Sequence, residues 1–264
     1  MAKPITFLSD YGLRDEFVGV VHAVIAHECR DARIIDISHG VPRQSVLAGA
    51  LMLLRALPYS PPGVHLAVVD PEVGARRRAV ALLTAQEERL LVGPDNGLLI
   101  PAAERFGGVV EAVEISHSPW RLGPVSATFH GRDLFAPVAA RLARGEALAD
   151  AGTPLDATEL VDVELPRPRQ EDGALVAHVM VVDGFGNVQL DAAASDFGGR
   201  LGHEVEVGEG RSARYLRTFA DAEAGELLLY EDAAGKLALA VNGGEAAAEL
   251  GGLALGDEVR LVVP

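Results

Sequence analysis

Two kinds of hydrophobic spacing divide the chain. Pro4 to Ser9, Ile34 to Ile37 and Val64 to Val69 are nearly unbroken apolar runs, as strands buried on both faces of a sheet require. Between them, Asp15 to Ala26 places Phe17, Val20, Val21, Val24 and Ile25 on one helical stripe. Ser45 to Leu57 repeats that spacing until Pro58 and the Pro61-Pro62-Gly63 turn stop it. Ala79 to Thr84 and Leu90 to Val92 read as strands around the polar turn Ala85 to Arg89, and Asn96 to Phe106 and Leu134 to Arg144 as helices. Strands alternating with helices predict an α/β domain with a mostly parallel sheet over residues 1–153.

The pattern changes near residue 150. Thr153-Pro154 and Leu165-Pro166-Arg167-Pro168-Arg169-Gln170 resist helix formation, so 154–170 reads as a linker. Beyond it come short strand-like runs with frequent turns: Ala174 to Val182, Glu204 to Val207, Ala213 to Thr218, Glu226 to Glu231, Lys236 to Val241 and Glu258 to Val263. They predict a smaller all-β domain over 171–264, a small antiparallel barrel or sandwich.

Composition narrows the function. The chain has 264 residues, 49% hydrophobic and 23% charged, enough for a sizeable core. A formal net charge of −15 argues against a nucleic-acid partner, which needs clustered Lys and Arg. The lone Cys29 excludes an intramolecular disulfide, and the N-terminus shows no charged lead followed by a long apolar segment. No run approaches the roughly 20 apolar residues of a membrane span. The expectation is a cytoplasmic protein with no membrane partner.

Standard catalytic signatures are missing. There is no Walker A loop, no G-x-S-x-G elbow and no H-E-x-x-H, and His22 with His27 is wrongly spaced for a helical metal pair. What remains are ionisable groups where hydrophobic runs end, the lip at which open α/β sheets hold ligands. Two charged knots stand out: Asp70-Pro71-Glu72-Val73-Gly74-Ala75-Arg76-Arg77 after the third strand, and Phe129-His130-Gly131-Arg132-Asp133 before a helix. Asp70 and Arg77, separated by Pro and Gly, can fold back on each other, and His130 would complete a cluster able to orient a water. A structural ion pair with a satisfied histidine fits the same spacing. Asp10, after the first strand, is placed to take two ribose hydroxyls or to cap a turn, and Asp15 reads as a helix start. Asp183-Gly184-Phe185-Gly186-Asn187, Phe219 and Asn242-Gly243-Gly244 offer aromatic platforms and amides for a base edge, or simply hairpin turns.

Seven stretches, in order over nearly the whole chain, resemble the S-adenosyl-L-methionine (SAM) hydroxide adenosyltransferase family, relatives of the SAM-dependent fluorinase and chlorinase. They are Phe7-Leu8-Ser9-Asp10-Tyr11-Gly12, Ile37-Ser38-His39-Gly40-Val41, Val68-Val69-Asp70-Pro71 with Val73-Gly74 and Arg77, Gly93-Pro94-Asp95-Asn96-Gly97-Leu98-Leu99, Thr128 to Pro137, Phe185-Gly186-Asn187 and Ala240-Val241-Asn242. The resemblance implies an α/β domain followed by a β-barrel, a homotrimer with sites between subunits, and displacement of L-methionine from C5′ of SAM by water, giving adenosine. It implies that Asp70, Arg77 and His130 position and activate that water. It also implies that Asp10 binds the ribose, that Asp15 and Asp183 face the methionine ammonium, and that Phe185, Asn187 and Phe219, with Asn242, hold the adenine.

A sulfonium departs as a neutral thioether, so the displacement needs a positioned nucleophile, and neither a metal nor a redox cofactor is expected. In the fluorinase the positions of Asp70 and His130 carry Tyr, and the fluoride-holding serine corresponds to Gly131, which favours water over halide here. A non-catalytic adenosine- or SAM-binding protein is the alternative from another class. Two departures stand out: Glu72 where the family usually has Gly, which bears on the backbone of the Asp70 loop, and Ala233-Ala234 where the fluorinase has Ser-Arg.

Overall fold

A computed structural model describes residues 2–208 and 210–263. The chain forms two compact units, Met1–Val163 and Glu164–Pro264. The outermost positions of the predicted domains, Met1 and Pro264, lie outside the described residues.

The first unit is built on seven strands: β1 (Ile5–Ser9), β2 (Ile34–Ser38), β3 (Val64–Val68), β4 (Ala79–Thr84), β5 (Leu90–Pro94), β6 (Val109–Glu114) and β7 (Thr153–Leu155). Four helices accompany them: α1 (Phe17–Glu28), α2 (Val46–Ala56), α3 (Ile100–Arg105) and α4 (Ala136–Arg144). The sheet order is β2-β1-β3-β5-β4-β6-β7, parallel from β2 to β5 and antiparallel from β5 to β7. The switch has a local cause. Only the five residues 85–89 join β4 to β5, a connection short enough for a hairpin and too short for a parallel crossover. Ile5, Phe7, Val64, Leu66 and Val68 point to one face and share a core with Val18, Val21 and Ile25 of α1 and with the apolar side of α4. On the other face α2 packs with α3.

Thr153–Leu155, whose last two residues were expected to begin the 154–170 linker, pair with β6 as the last strand of this sheet, and the boundary between the units falls at 163/164. The predicted helix over 96–106 is confined to Ile100–Arg105, because Asn96 turns inward, its side-chain amide donating to the Val69 carbonyl at 2.9 Å and its Oδ1 accepting from the Leu98 amide at 3.2 Å.

A buried polar trio pins the centre of the sheet. Arg89 Nη1 donates to His65 Nε2 at 3.1 Å, and a guanidinium can only donate, so the proton sits on Nδ1, which donates to Thr6 Oγ1 at 2.8 Å. Burial first, and the Arg89 charge second, hold the imidazole pKa down to about 3.

The second unit contains β8 (Arg169–Glu171), β9 (Ala174–Val182), β10 (Val188–Ala193), β11 (Glu204–Val207), β12 (Arg211–Tyr215), β13 (Leu227–Glu231), β14 (Lys236–Val241), the short α5 (Ala246–Glu249) and β15 (Glu258–Val262). Seven of the strands close into a barrel, β9-β10-β14-β13-β12-β11-β15 and back to β9, with β8 added as a hairpin on β9. Closure leaves the barrel strands without a free edge. Among the described barrel strands, the one parallel pair, β12 with β13, requires a crossover, and the 216–226 loop that provides it carries Phe219.

Candidate active site

Asp70 leaves the carboxyl end of β3 and begins a tight loop. Gly74 has φ +78, and a Cβ there would overlap the Ala127 carbonyl, so this glycine lets the Asp70 loop lie against the segment leading to His130. Glu72, the departure within that loop, is exposed and does not appear among the positive-φ residues, so its backbone makes no demand for glycine. His130 sits at the start of a π-helical turn, Gly131–Phe135, that runs directly into α4. Asp133 anchors this turn by accepting the Ser126 amide at 2.7 Å and Arg132 Nε at 2.6 Å.

The two loops bring Asp70, Arg77 and His130 into one chain of hydrogen bonds. Arg77 Nε donates to Asp70 Oδ1 at 2.9 Å and to Oδ2 at 3.0 Å, and Nη2 donates to Oδ2 as well. Nη2 also donates to His130 Nδ1 at 2.8 Å. The Asp70 and Arg77 side chains are only 5% and 4% exposed, so the pair is shielded from solvent. Because the guanidinium only donates, Nδ1 of His130 carries a lone pair and the neutral imidazole holds its proton on Nε2. Burial, followed by the Arg77 charge, lowers the His130 pKa against the opposing pull of Asp70 and Asp133, which favours that neutral form.

A cavity of about 50 Å³ adjoins this chain, lined by Asp10, Tyr11, Asp70, Thr128, His130 and Gly131 among others. About 10–15 Å³ of such space suffices for one water, so the cavity has room for ordered water. Tyr11, to which the sequence reading assigned no role, forms part of its wall. Its pKa is raised, first by burial and then by Asp10 and Asp70, so the phenol keeps its proton as a donor. Its ring lies in an aromatic cluster with Phe7, Phe17 and Phe129, at centroid distances of 6.3, 5.8 and 5.9 Å. A wider cavity of about 550 Å³ shares Arg77 and His130, but its Arg76, Arg121 and His117 lining is ill-suited to a cationic sulfonium.

The remaining expected residues fall into two groups. In the first unit, Asp10 Oδ2 accepts the Gln44 amide at 2.9 Å, holding Gln44 at φ 62 just before α2. Asp15 is exposed and lies two residues before α1, whose first turn has no side-chain cap.

In the second unit, Asp183 organises the turn between β9 and β10. Its Oδ1 accepts the amides of Phe185 at 2.9 Å and Asn187 at 3.0 Å, and its Oδ2 accepts Asn187 Nδ2 at 2.9 Å. Phe185 tips that turn at 81% exposure, and Asn242 Nδ2 donates to the Ala222 carbonyl at 2.8 Å. Phe219 stands 5.0 Å from Tyr230, a partner the sequence reading did not find. Burial and then Asp183 push the Tyr230 pKa up to about 12. Strand direction places Asp183, Phe185, Asn187 and Asn242 at one rim of the barrel, while Ala233-Ala234 occupy the exposed hairpin turn at the other end of β14.

Residues 5–152 match the SAM hydroxide adenosyltransferase N-terminal domain, and residues 177–260 match the corresponding C-terminal domain. The chain is 50% identical over 257 residues, 97% of each chain, to an (R)-S-adenosyl-L-methionine hydrolase of Salinispora tropica. It is 26% identical over 275 residues, 90% of each chain, to a fluorinase of Actinoplanes sp.. Among solved structures, an uncharacterized conserved protein from Thermotoga maritima superimposes with a TM-score of 0.89 at 37% identity, covering 98% of this chain and 99% of that one. The chain belongs to the SAM hydroxide adenosyltransferase family.

Proposed function

We propose that this chain is an (R)-S-adenosyl-L-methionine hydrolase, in which a water held beside Asp70, Arg77 and His130 displaces L-methionine from C5′ and releases adenosine. The observation that carries this reading is the small cavity bounded by an acceptor, Asp70, and by His130, whose tautomer Arg77 fixes. Nucleophilic displacement needs the attacking oxygen in line with the C5′–S bond, and a small polar cavity that can hold water beside these groups favours that order. Asp70 accepts one water hydrogen while the His130 Nε2 proton limits the orientations left to the oxygen. As the C5′–O bond forms, the C5′–S electron pair leaves with the neutral thioether and the water gives up one proton. The balance is one proton released per SAM consumed, with no general acid on the leaving group.

The family resemblance supports assigning the ribose hydroxyls to Asp10, the methionine ammonium to Asp15 and Asp183, and the adenine to Phe185, Asn187, Phe219 and Asn242. Carboxylates suit a cationic substrate and exposed rings suit a purine. The displacement uses SAM as substrate and needs no cofactor. The water-holding residues belong to the first unit and the aromatic rim to the second, and a homotrimer with shared sites is proposed on the resemblance. Among the described residues no helix is long and apolar enough to cross a membrane. The single buried Cys29 supports placement in the reducing cytoplasm.

The test is incubation with SAM, chromatography for adenosine and methionine, and a pH-stat trace. Equimolar adenosine, methionine and protons are expected. Adenosine no faster than the background decay of SAM would leave a non-catalytic binder of SAM or adenosine.

A further inference from the structure

At the free edge of the first sheet, three side chains unused by the proposed reaction converge. His22 comes from α1, Asp36 from β2, and His39 from the turn that follows β2. One donor atom from each lies within 4.8 Å of the other two. Asp36 Oδ1 is the hub, 2.9 Å from His22 Nε2 and 3.1 Å from His39 Nε2. Donors on a cation with bonds of about 2.0–2.1 Å in tetrahedral array stand about 3.3 Å apart, so little movement separates this cluster from a coordination shell.

His39 supplies the independent observation. Its side chain is 3% exposed, and among the described residues its Nε2 has no hydrogen-bond partner despite the nearby Asp36 oxygen. A buried nitrogen with a close neighbour off its axis has the geometry of two donors that face a shared third atom. Behind it, His39 Nδ1 lies 2.8 Å from Oγ of the fully buried Ser9. An outer hydrogen bond of that kind fixes the ring and leaves Nε2 as the ligating lone pair. His22 and Asp36 are 33% and 42% exposed, which gives a cation an entry path and room for a water ligand.

We propose that His22, Asp36 and His39 form a binding site for a divalent transition cation of borderline softness, such as Zn²⁺, Co²⁺ or Ni²⁺, with water completing the shell. Two imidazoles and one carboxylate select this class over Mg²⁺ or Ca²⁺, which prefer all-oxygen shells. The site has a structural consequence. The His39 carbonyl accepts the Gly12 amide at 2.7 Å, and Ser9 Oγ accepts the Tyr11 amide at 3.4 Å. A cation on His39 therefore braces the segment that carries Asp10 and Tyr11 to the water cavity.

The test uses tag-free, chelator-treated full chain titrated with Co²⁺, read by visible absorption, and with Zn²⁺, read by calorimetry. One equivalent is expected to bind, with visible bands of a nitrogen- and oxygen-ligated Co²⁺. Ser9→Ala, which removes the outer hydrogen bond together with the longer one from the Tyr11 amide, should weaken binding about 10–100-fold, and His22→Gln at least as much. Circular dichroism and unfolding midpoints of both variants confirm that the fold persists, and the half-exposed His22→Gln keeps the test decisive should Ser9→Ala unfold. Absence of Co²⁺ bands and of Zn²⁺ heat, or affinity unchanged in His22→Gln, overturns the proposal. Mg²⁺ binding as tightly as Zn²⁺ overturns the assigned class.

Discussion

The water cavity is tight enough to be tested with a single methyl group. A Cβ on Gly131 would overlap the Tyr11 hydroxyl, with the next nearest ring atoms at 3.1 and 3.3 Å. Gly131→Ala therefore forces the phenol aside, and the ring is wedged by Phe7, Phe17 and Phe129. Overpacking of this kind costs about 1–3 kcal/mol. The cavity is only about 50 Å³, so the displaced hydroxyl and the new methyl both encroach on its space for water. A misplacement of about 1 Å at a reacting group costs on the order of 10²-fold in rate, so turnover should fall by at least that much.

Tyr11→Phe removes the overlapping atom and leaves contacts from which neighbours yield by a few tenths of an ångström. Four proteins, the parent, Gly131→Ala, Tyr11→Phe and the double variant, then form a cycle. Urea midpoints should give a favourable coupling of about 1 kcal/mol between the two substitutions. Adenosine release under saturating SAM should remain low in Gly131→Ala and recover partly in the double variant. A Gly131→Ala protein with the parent's stability and turnover would refute the cavity as the seat of the nucleophile.

Other outcomes follow from the same geometry. Asp70→Asn leaves the buried Arg77 charge without its partner, so unfolding free energy should fall by about 3–5 kcal/mol and turnover by about 10²–10⁴-fold, checked by urea titration and chromatography. His65 has a folded pKa near 3 against an unfolded value near 6.5, so the unfolded chain takes the proton first and stability is lost as pH falls below about 6.5. From His65 alone the loss at pH 5 is about 2 kcal/mol, and the drop between pH 7.5 and 5 should shrink by that amount in His65→Asn. Incubation with SAM and chloride or fluoride should yield adenosine with no 5′-halo-adenosine, and a halogenated product in the chromatogram would contradict the role given to Gly131.

The strands and helices around the Asp70, Arg77 and His130 cluster were legible because hydrophobic period is a local property. β1, β2, β3 and α2 fall within a residue or two of where apolar spacing puts them. β6, β8 and β10 were not legible for a physical reason. β6 carries Glu111 between its valines and ends on Glu114, β8 is Arg-Gln-Glu, and β10 breaks its alternation with the buried Asp191. Each is held by its neighbours in the sheet. Asp70, Arg77 and His130 were legible as charges at the ends of apolar runs, yet spacing could not say whether they meet. Tyr11 stood inside a quoted motif, but only the approach of Gly131 shows what its hydroxyl borders. Asp183 and Asn187 were readable both as ligands and as a hairpin turn. The turn reading is visible in the hydrogen bonds within that segment, and it leaves Phe185 as the group projecting from it.

The chain uses one device twice, in different surroundings. At His65 and at His130 an arginine donates to one ring nitrogen, and since a guanidinium never accepts, each ring is held as a single neutral tautomer. At His65 the other nitrogen donates to Thr6 and the ring is fully buried, so its hydrogen-bonding capacity is used and it serves the core. At His130 the ring is half-buried beside a small cavity, and among the described residues no protein group accepts from Nε2. That unspent donor, held by Arg77 and set beside the Asp70 acceptor across the same arginine, is what the proposed water-holding role rests on, and His65 has no counterpart to it. Both histidines lie on or next to an apolar run in the sequence. What assigns them different work is the partner of the second nitrogen, which only the tertiary structure supplies.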